Sequence, residues 1–270
     1  MLIDTHAHLD FKDYEGDLSE VLSRAQEAGV SKIITISTTL QSCQRAVKLA
    51  TMYPMVHAAV GIHPLYVEES EDCYLDELRE FVKLPNVCAI GETGIDYHKN
   101  QTPPESQEHL ESWRRNRDRQ AFFFRQQLDL AVESGLNVVV HQRDSWNDCL
   151  EIIRPYSGRL KAVFHCFGGT LEEAAELVDL GFLVSFTGIV TFKNAASPQR
   201  AAANLPPGTF FLETDCPFLA PTPHRGKRCE PAHTRLTAEH IARLRGESLE
   251  SLAGHTTATA ESFFRRRTAQ

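Results

Sequence analysis

The sequence predicts an α/β fold, a closed parallel (β/α)8 TIM barrel forming one domain over residues 1–270, with extra helices at the C-terminal end. Three observations predict it. Short apolar or β-branched runs alternate with stretches of helical period eight times along the chain. A length of 270 residues is ordinary for one barrel domain and buries a large core. No glycine-rich phosphate fingerprint follows the first apolar run, which disfavours the runner-up, an open doubly wound sheet.

Taken in order, the first strand is expected over Leu2–His6, apolar and β-branched until the chain turns polar. An amphipathic helix over Asp17–Ala28 stops at Gly29, a residue suited to the left-handed cap that ends a helix. Strand Lys32–Ser37 and helix Gln41–Met52 follow, then strand Val56–Ile62, helix Tyr74–Lys83 and strand Val87–Glu92. The polar connection from His98 to about Asp118 is longer than most strand-to-helix loops. It reads as a mixed-charge solvated face, or as a lid over substrate, with a helix that starts near Pro104 as the alternative to one over Asp118–Ser134. Gly135 ends that helix, and three valines mark strand Asn137–His141. Helix Ser145–Ile153, strand Lys161–His165 and helix Leu171–Leu180, stopped by Gly181, come next. Strand Phe182–Thr187, a short helix Pro198–Asn204 and strand Thr209–Thr214 complete the eight units. Thr237–Arg245 and Leu249–Arg266 are terminal helices.

Composition excludes several classes. The net charge is −8 with 42% hydrophobic residues, a globular profile without the basic excess of a duplex-binding domain. No secretory signal and no bilayer-length apolar run is visible, so neither a membrane nor an obligate protein partner is expected. The seven cysteines are scattered without a Cys-x-x-Cys, which suits reduced thiols in the cytoplasm and argues against a thiolate zinc site.

The polar residues that carry chemistry fall at strand ends. His6 and His8 stand two apart on extended backbone, so their imidazoles point to one side. Glu92 ends the fourth strand, His141 the fifth and His165 the sixth, and Asp215 follows the eighth. In a barrel these ends share one face, the one that carries the active site. Each residue alone could be an ordinary buried histidine or a capping acid. Together they form a set of imidazole and carboxylate ligands suited to zinc, manganese, iron, nickel or hydrated magnesium. Six ligands exceed the need of one tetrahedral ion and fit two divalent metal ions, with Glu92, between the two histidine pairs, as the bridge.

The sequence resembles the TatD family of metal-dependent deoxyribonucleases. The matching stretches are Ile3-Asp-Thr-His-Ala-His-Leu-Asp10, Val60-Gly-Ile-His-Pro64, Ile90-Gly-Glu-Thr-Gly-Ile-Asp-Tyr97 and Val140-His-Gln-Arg-Asp144. Phe164-His-Cys-Phe-Gly-Gly169, Leu212-Glu-Thr-Asp-Cys-Pro217 and Arg225-Gly-Lys-Arg-Cys-Glu-Pro231 continue in order through nearly the whole chain. The resemblance implies a TIM barrel, phosphodiester hydrolysis and metals at His6, His8, Glu92, His141, His165 and Asp215. It makes His63 a phosphate contact, where the residue alone reads equally well as a buried or capping histidine. Mg2+ or Mn2+ suits activity, with Zn2+ or Ni2+ possible as the bound ion. Three departures fall on loops expected at the substrate face: Cys229 replaces asparagine, Gln142 replaces serine, and the segment after Tyr97 is longer.

Arg225, Lys227 and Arg228 form a basic cluster whose position favours phosphate binding over a plain surface charge run, with Arg143 and Lys193 as lesser candidates. Glu213 and Asp96 are expected to orient ligands. Cys166 and Cys216 abut predicted ligands but read as small buried apolar groups. His57, His98, His109, His224, His233, His240 and His255 show no ligand pattern. The reading is a cytoplasmic metal-dependent hydrolase cleaving DNA phosphodiesters, as a 3′–5′ exonuclease on single-stranded ends. Asp215 would hold or accept the proton of the attacking water, and Glu92 and the ions would complete the catalytic set. The rivals are a small-molecule amide, ester or lactone hydrolase with the same metals, an aminoacyl-tRNA deacylase, and a non-catalytic barrel.

Overall fold

The eight strands are β1 (Leu2–Ala7), β2 (Val30–Ile36), β3 (Val56–Val60), β4 (Val87–Asp96), β5 (Asn137–Arg143), β6 (Ala162–Phe164), β7 (Leu183–Phe186) and β8 (Phe210–Leu212). The computed structural model describes residues 1–71, 73–98 and 106–266. The strands pair in parallel in sequence order. The helices between them are α1 (Leu18–Glu27), α2 (Leu40–Met52), α3 (Tyr74–Phe81), α4 (Gln107–Ser134), α5 (Trp146–Ile153), α6 (Leu171–Asp179) and α7 (Ala196–Asn204). α8 (Thr234–Arg245) and α9 (Leu249–Phe264) end the chain. This is the (β/α)8 barrel expected. No helix among the described residues is long and apolar enough to cross a membrane.

The seam between β1 and the end of β8 closes through bonds of long sequence separation. Asp215 N donates to His6 O and His8 N to Cys216 O, both at 2.8 Å. Thr5 Oγ1 donates to Leu212 O at 2.9 Å, and Asp4 accepts from Thr214 N and Oγ1 at 2.9 and 2.7 Å. These bonds carry His6 and His8 to Asp215.

Inside the ring, Ile3, Ile34, Ile36, Val139, Val163 and Phe211 pack as one apolar plug. The last turn of α9 seals it: Phe263 and Phe264 lie against Phe211, and Asn137 Nδ2 donates to Phe263 O. Arg266 donates to Val82 O, Leu84 O and Val87 O, tying the tail to the base of β4. The strand starts are thereby closed, and the opposite end holds the polar residues.

Two differences from the expected element bounds bear on the site. β4 and β5 run past Glu92 and His141, to Asp96 and Arg143, so both side chains sit within strands and not at their ends. Gly94 lets the two strands approach. A Cβ there would lie 2.0 Å from His141 O. The second difference is α4, which starts at Gln107, capped by Ser106 Oγ, eleven residues before Asp118. Its first turns hold Leu110 and Trp113 among polar and charged residues, too little for an apolar period to read. The start considered at Pro104 lies outside the described residues.

Candidate metal centre

β1 delivers His6 and His8, β4 Glu92, β5 His141, and the turns after β6 and β8 deliver His165 and Asp215. Glu92 is at the centre. Its Oε2 lies 2.8 Å from His6 Nε2 and 3.6 Å from His165 Nε2. Its Oε1 lies 2.8 Å from His63 Nε2 and 3.2 Å from His141 Nδ1. Asp215 Oδ1 is 3.5 and 3.4 Å from the Nε2 atoms of His6 and His8. The six residues predicted from sequence therefore meet in one place.

Hydrogen-bond partners assign the tautomers. His8 Nδ1 donates to Ile36 O at 3.0 Å, which leaves Nε2 with its lone pair when the ring is neutral. His141 Nε2 donates to Asp96 Oδ2 at 3.0 Å, which leaves Nδ1 facing Glu92 and His165 Nε2. Imidazole nitrogens face one another at 3.3 Å for His6 and His8 and at 3.1 Å for His141 and His165. Glu92 Oε2, His6 Nδ1 and His165 Nδ1 are buried without a hydrogen-bond partner. Lone pairs converging at such distances on buried carboxylates require cations between them, protons or metals. The donor set of imidazole and carboxylate fits divalent ions, in two groups that share His6: His6–His8–Asp215 and His6–Glu92–His165.

A third grouping, His63–Glu92–His141, works differently. His63 Nδ1 accepts from Leu65 N at 3.0 Å, so the ring proton sits on Nε2 and is donated to Glu92. His63 thus supports the carboxylate and offers no lone pair to an ion. His63 lines the cavity as expected, and it also fills the buried, capping role that was the alternative, its Nδ1 accepting from Leu65 N. Asp96 and Glu213 stand where orienting groups were expected. Glu213 accepts from Cys166 N and Ser185 Oγ, both at 2.6 Å, and lies 3.7 Å from His165 Nδ1.

Burial opposes charge on every group here, and the neighbours decide the outcome. Burial would lower His8, but the carboxylates of Asp215 and Glu92 outweigh it and hold the metal-free ring up at about 9. His141 is likewise held at about 9 by Asp96 and Glu92 against the pull of burial. For His63 burial wins, and the ring falls to about 4. Burial would raise Glu92 and Asp215, yet the surrounding histidines hold both below the usual carboxylate range.

A pH prediction follows. In metal-free protein, His8 and His141 bind protons more tightly folded than unfolded. Their stabilisation is complete below about 6.5 and is lost as pH rises through about 9. Metal binding needs the neutral rings and strengthens over the same window. The gap in Tm between metal-loaded and chelator-treated protein is therefore expected to widen from pH 6.5 to 9. A gap that stays constant or narrows in calorimetry would contradict these protonation states.

The cluster floors a cavity of about 1050 Å³ whose wall includes Phe11, Tyr97, Arg117, Arg143, Trp146 and Phe218. Gln142 lies on this wall as expected. Arg117 belongs to the 98–118 connection considered as a solvated face or a lid, and it lines the cavity; Phe11, Phe218 and Tyr97 were not singled out as site residues, though Phe218 carried a usable signal, three residues past Asp215. Gln127 was also missed: from the apolar face of α4 it bonds Ile62 N, Ile62 O and Thr93 Oγ1 and so braces β3 against β4.

The basic loop is a correction. Arg225 is exposed and lies over the Phe192 ring, 4.4 Å from its centroid, and Lys227 and Lys193 are exposed. None of the three is among the described lining residues of the cavity. The cause is the anchoring of the loop on α1. Arg228 donates to Asp17 and Glu230, and Arg24 donates to Glu230 at 2.7 and 2.9 Å. Cys229 is also corrected, because it is fully buried in the core and not on a substrate face. Burial pushes its thiol, and those of Cys166 and Cys216, well above the ordinary range. His57, His98, His109, His224, His233, His240 and His255 lie outside the three groups of candidate ligands.

A family model described as TatD related DNase matches residues 3–265. A Bacillus subtilis protein described as an uncharacterized metal-dependent hydrolase, YabD, is 36% identical over 266 residues, 98% of this chain and 99% of its own length. The Citrobacter rodentium protein described as the 3′-5′ ssDNA/RNA exonuclease TatD is 32% identical over 269 residues, 97% of each chain. Among solved structures, the Escherichia coli TatD homologue YJJV superposes with a TM-score of 0.87 at 28% identity, covering 97% of each chain.

Proposed function

The chain belongs to the family of TatD-related DNases, which are metal-dependent hydrolases, and from that premise we propose that it cleaves phosphodiester bonds of DNA at single-stranded 3′ ends, working in the cytoplasm with two divalent ions. The observation that carries the reading is the buried convergence of His6, His8, Glu92, His141, His165 and Asp215 under an open cavity. The Citrobacter relative, named for action on single strands from the 3′ end, supports the substrate class. The net charge of −8 supports capture of a strand end and not of a long duplex. The seven cysteines form no disulfide, as suits a reducing compartment.

When bound, divalent ions supply electrophilic stabilisation of a phosphoryl oxygen and make a water more acidic. The chain's residues do the rest. His6, His8 and Asp215 hold one side of the centre, and His141 and His165 hold the other. Glu92 would stand between them, with Oε2 toward His6 and His165 and Oε1 toward His141 and His63. Asp215, with its side chain 14% exposed against 4% for Glu92, is the more open of these two carboxylates and can hold the water's proton. His63 fixes Glu92, and Asp96 fixes the His141 ring.

The test is a substrate panel. Metal-reconstituted protein is expected to shorten end-labelled single strands stepwise from the 3′ end, to act weakly on blunt duplex, and to stop with EDTA. Hydrolysis of a small ester or lactone with no cleavage of any oligonucleotide, whichever metal is supplied, would overturn it.

A further inference from the structure

The cavity is not symmetrical about the candidate metal centre. On the side of β1 and β8 its rim is aromatic. The Phe11 ring stacks on His8, with centroids 4.8 Å apart and planes 23° apart. Phe218 meets Phe11 edge to face at 6.0 Å and lies 6.3 Å from the His8 ring. Phe218 is 52% exposed, a large apolar surface beside a buried polar centre. It is also fixed, because its N–H donates to Asp215 O at 3.0 Å. On the far side of the ring, over β4 and β5, the wall is charged and holds the cavity's arginines beside the carboxylates of Asp144 and Asp148. Arg143 ends β5, and Arg117 reaches in from α4 with its guanidinium 3.7 Å from the Tyr97 ring centroid. They are the arginines among the described lining residues, and no lysine is among them.

We propose that Phe218 and Phe11 form the stacking platform for the base of the terminal nucleotide, and that the strand leaves the cavity past Arg143 and Arg117. The inference rests on the phosphodiesterase reading above and adds the direction in which the substrate lies. A departing terminal nucleotide brings one phosphate, which belongs at the metal centre, so its remaining surface to be bound is a base and a sugar. Aromatic rings next to a metal-ligand histidine suit that need and no further cation is required. The rest of the strand brings a phosphate at every step, and the guanidinium groups on the opposite wall suit it. Stacking on a ring is tolerant of base identity, so the platform predicts little sequence preference at the 3′ end.

The test compares single strands ending in an ordinary nucleotide with strands whose last residue is a tetrahydrofuran abasic unit. The parent protein is expected to favour the base-bearing end by roughly tenfold or more in kcat/KM, mainly through KM. Phe218→Ala should bring that preference close to unity, and Phe218→Trp should retain it. An abasic unit placed one nucleotide inward should be discriminated equally by parent and Phe218→Ala. Circular dichroism and metal content confirm that the half-exposed position tolerates the change. A preference that survives in Phe218→Ala, a loss affecting both ends alike, or a parent with no preference would each overturn the platform while leaving the nuclease reading intact. A parent that cleaves no strand at all would overturn both.

Discussion

Asp215→Asn is expected to keep its fold and metals while losing about 10²–10⁴-fold in kcat, the range for removal of a general base. Asparagine keeps the size and one oxygen of the side chain, and the backbone bond from Asp215 N to His6 O is untouched. The loss is the anionic oxygen 3.4–3.5 Å from the Nε2 atoms of His8 and His6, the one that can take a proton from water. Stoichiometric metal analysis beside single-turnover kinetics checks it. Near-parental turnover at full metal content would return Asp215 to a purely structural role.

Glu92→Gln is expected to fail at an earlier stage. Four histidines surround the carboxylate, two at each oxygen. Their collective field holds it ionised despite complete burial. Replacing one oxygen by an amide removes the shared charge and places N–H donors against groups that must offer lone pairs. Metal affinity should fall by at least roughly 10–100-fold, the effect already seen when mere supporting partners of a metal site are removed. Activity should fall with occupancy and recover in part at high metal concentration. Titration with a competing chelator measures it, and parental affinity in this variant would rule out Glu92 as the bridge. The two variants thus separate a residue needed for chemistry from one needed for assembly.

The alternation of apolar runs and helical stretches was enough to locate all eight strands, because barrel strands are buried on both faces and read as continuous apolar segments. The centre was legible for a related reason: His6, Glu92, His141 and His165 interrupt or end such segments, where a polar residue is conspicuous. What escaped was governed by tertiary detail. The extension of β4 past Glu92 depends on Gly94, whose missing side chain lets β4 approach β5, and only the fold shows that approach. The first turns of α4 lack an apolar stripe. Arg225 and Lys227 looked like phosphate ligands by position, but salt bridges from Arg228 and Arg24 decide where their loop rests. His63 was visible as a polar residue after β3, while the proton it holds on Nε2 depends on a backbone amide two residues on.

The seam between β1 and β8 carries a consequence for how the protein is made. The His6–His8 pair is made more than 200 positions before Asp215, Thr214 and Cys216, which secure that strand. Contacts of such separation form late, since the loop between them must be closed first. These two histidines therefore wait for their strand's late partners beside an unpaired strand edge, able to pick up stray ions or neighbouring chains. An ion captured after closure would act as a clasp, joining the earliest strand to the last and holding the ring shut against reopening.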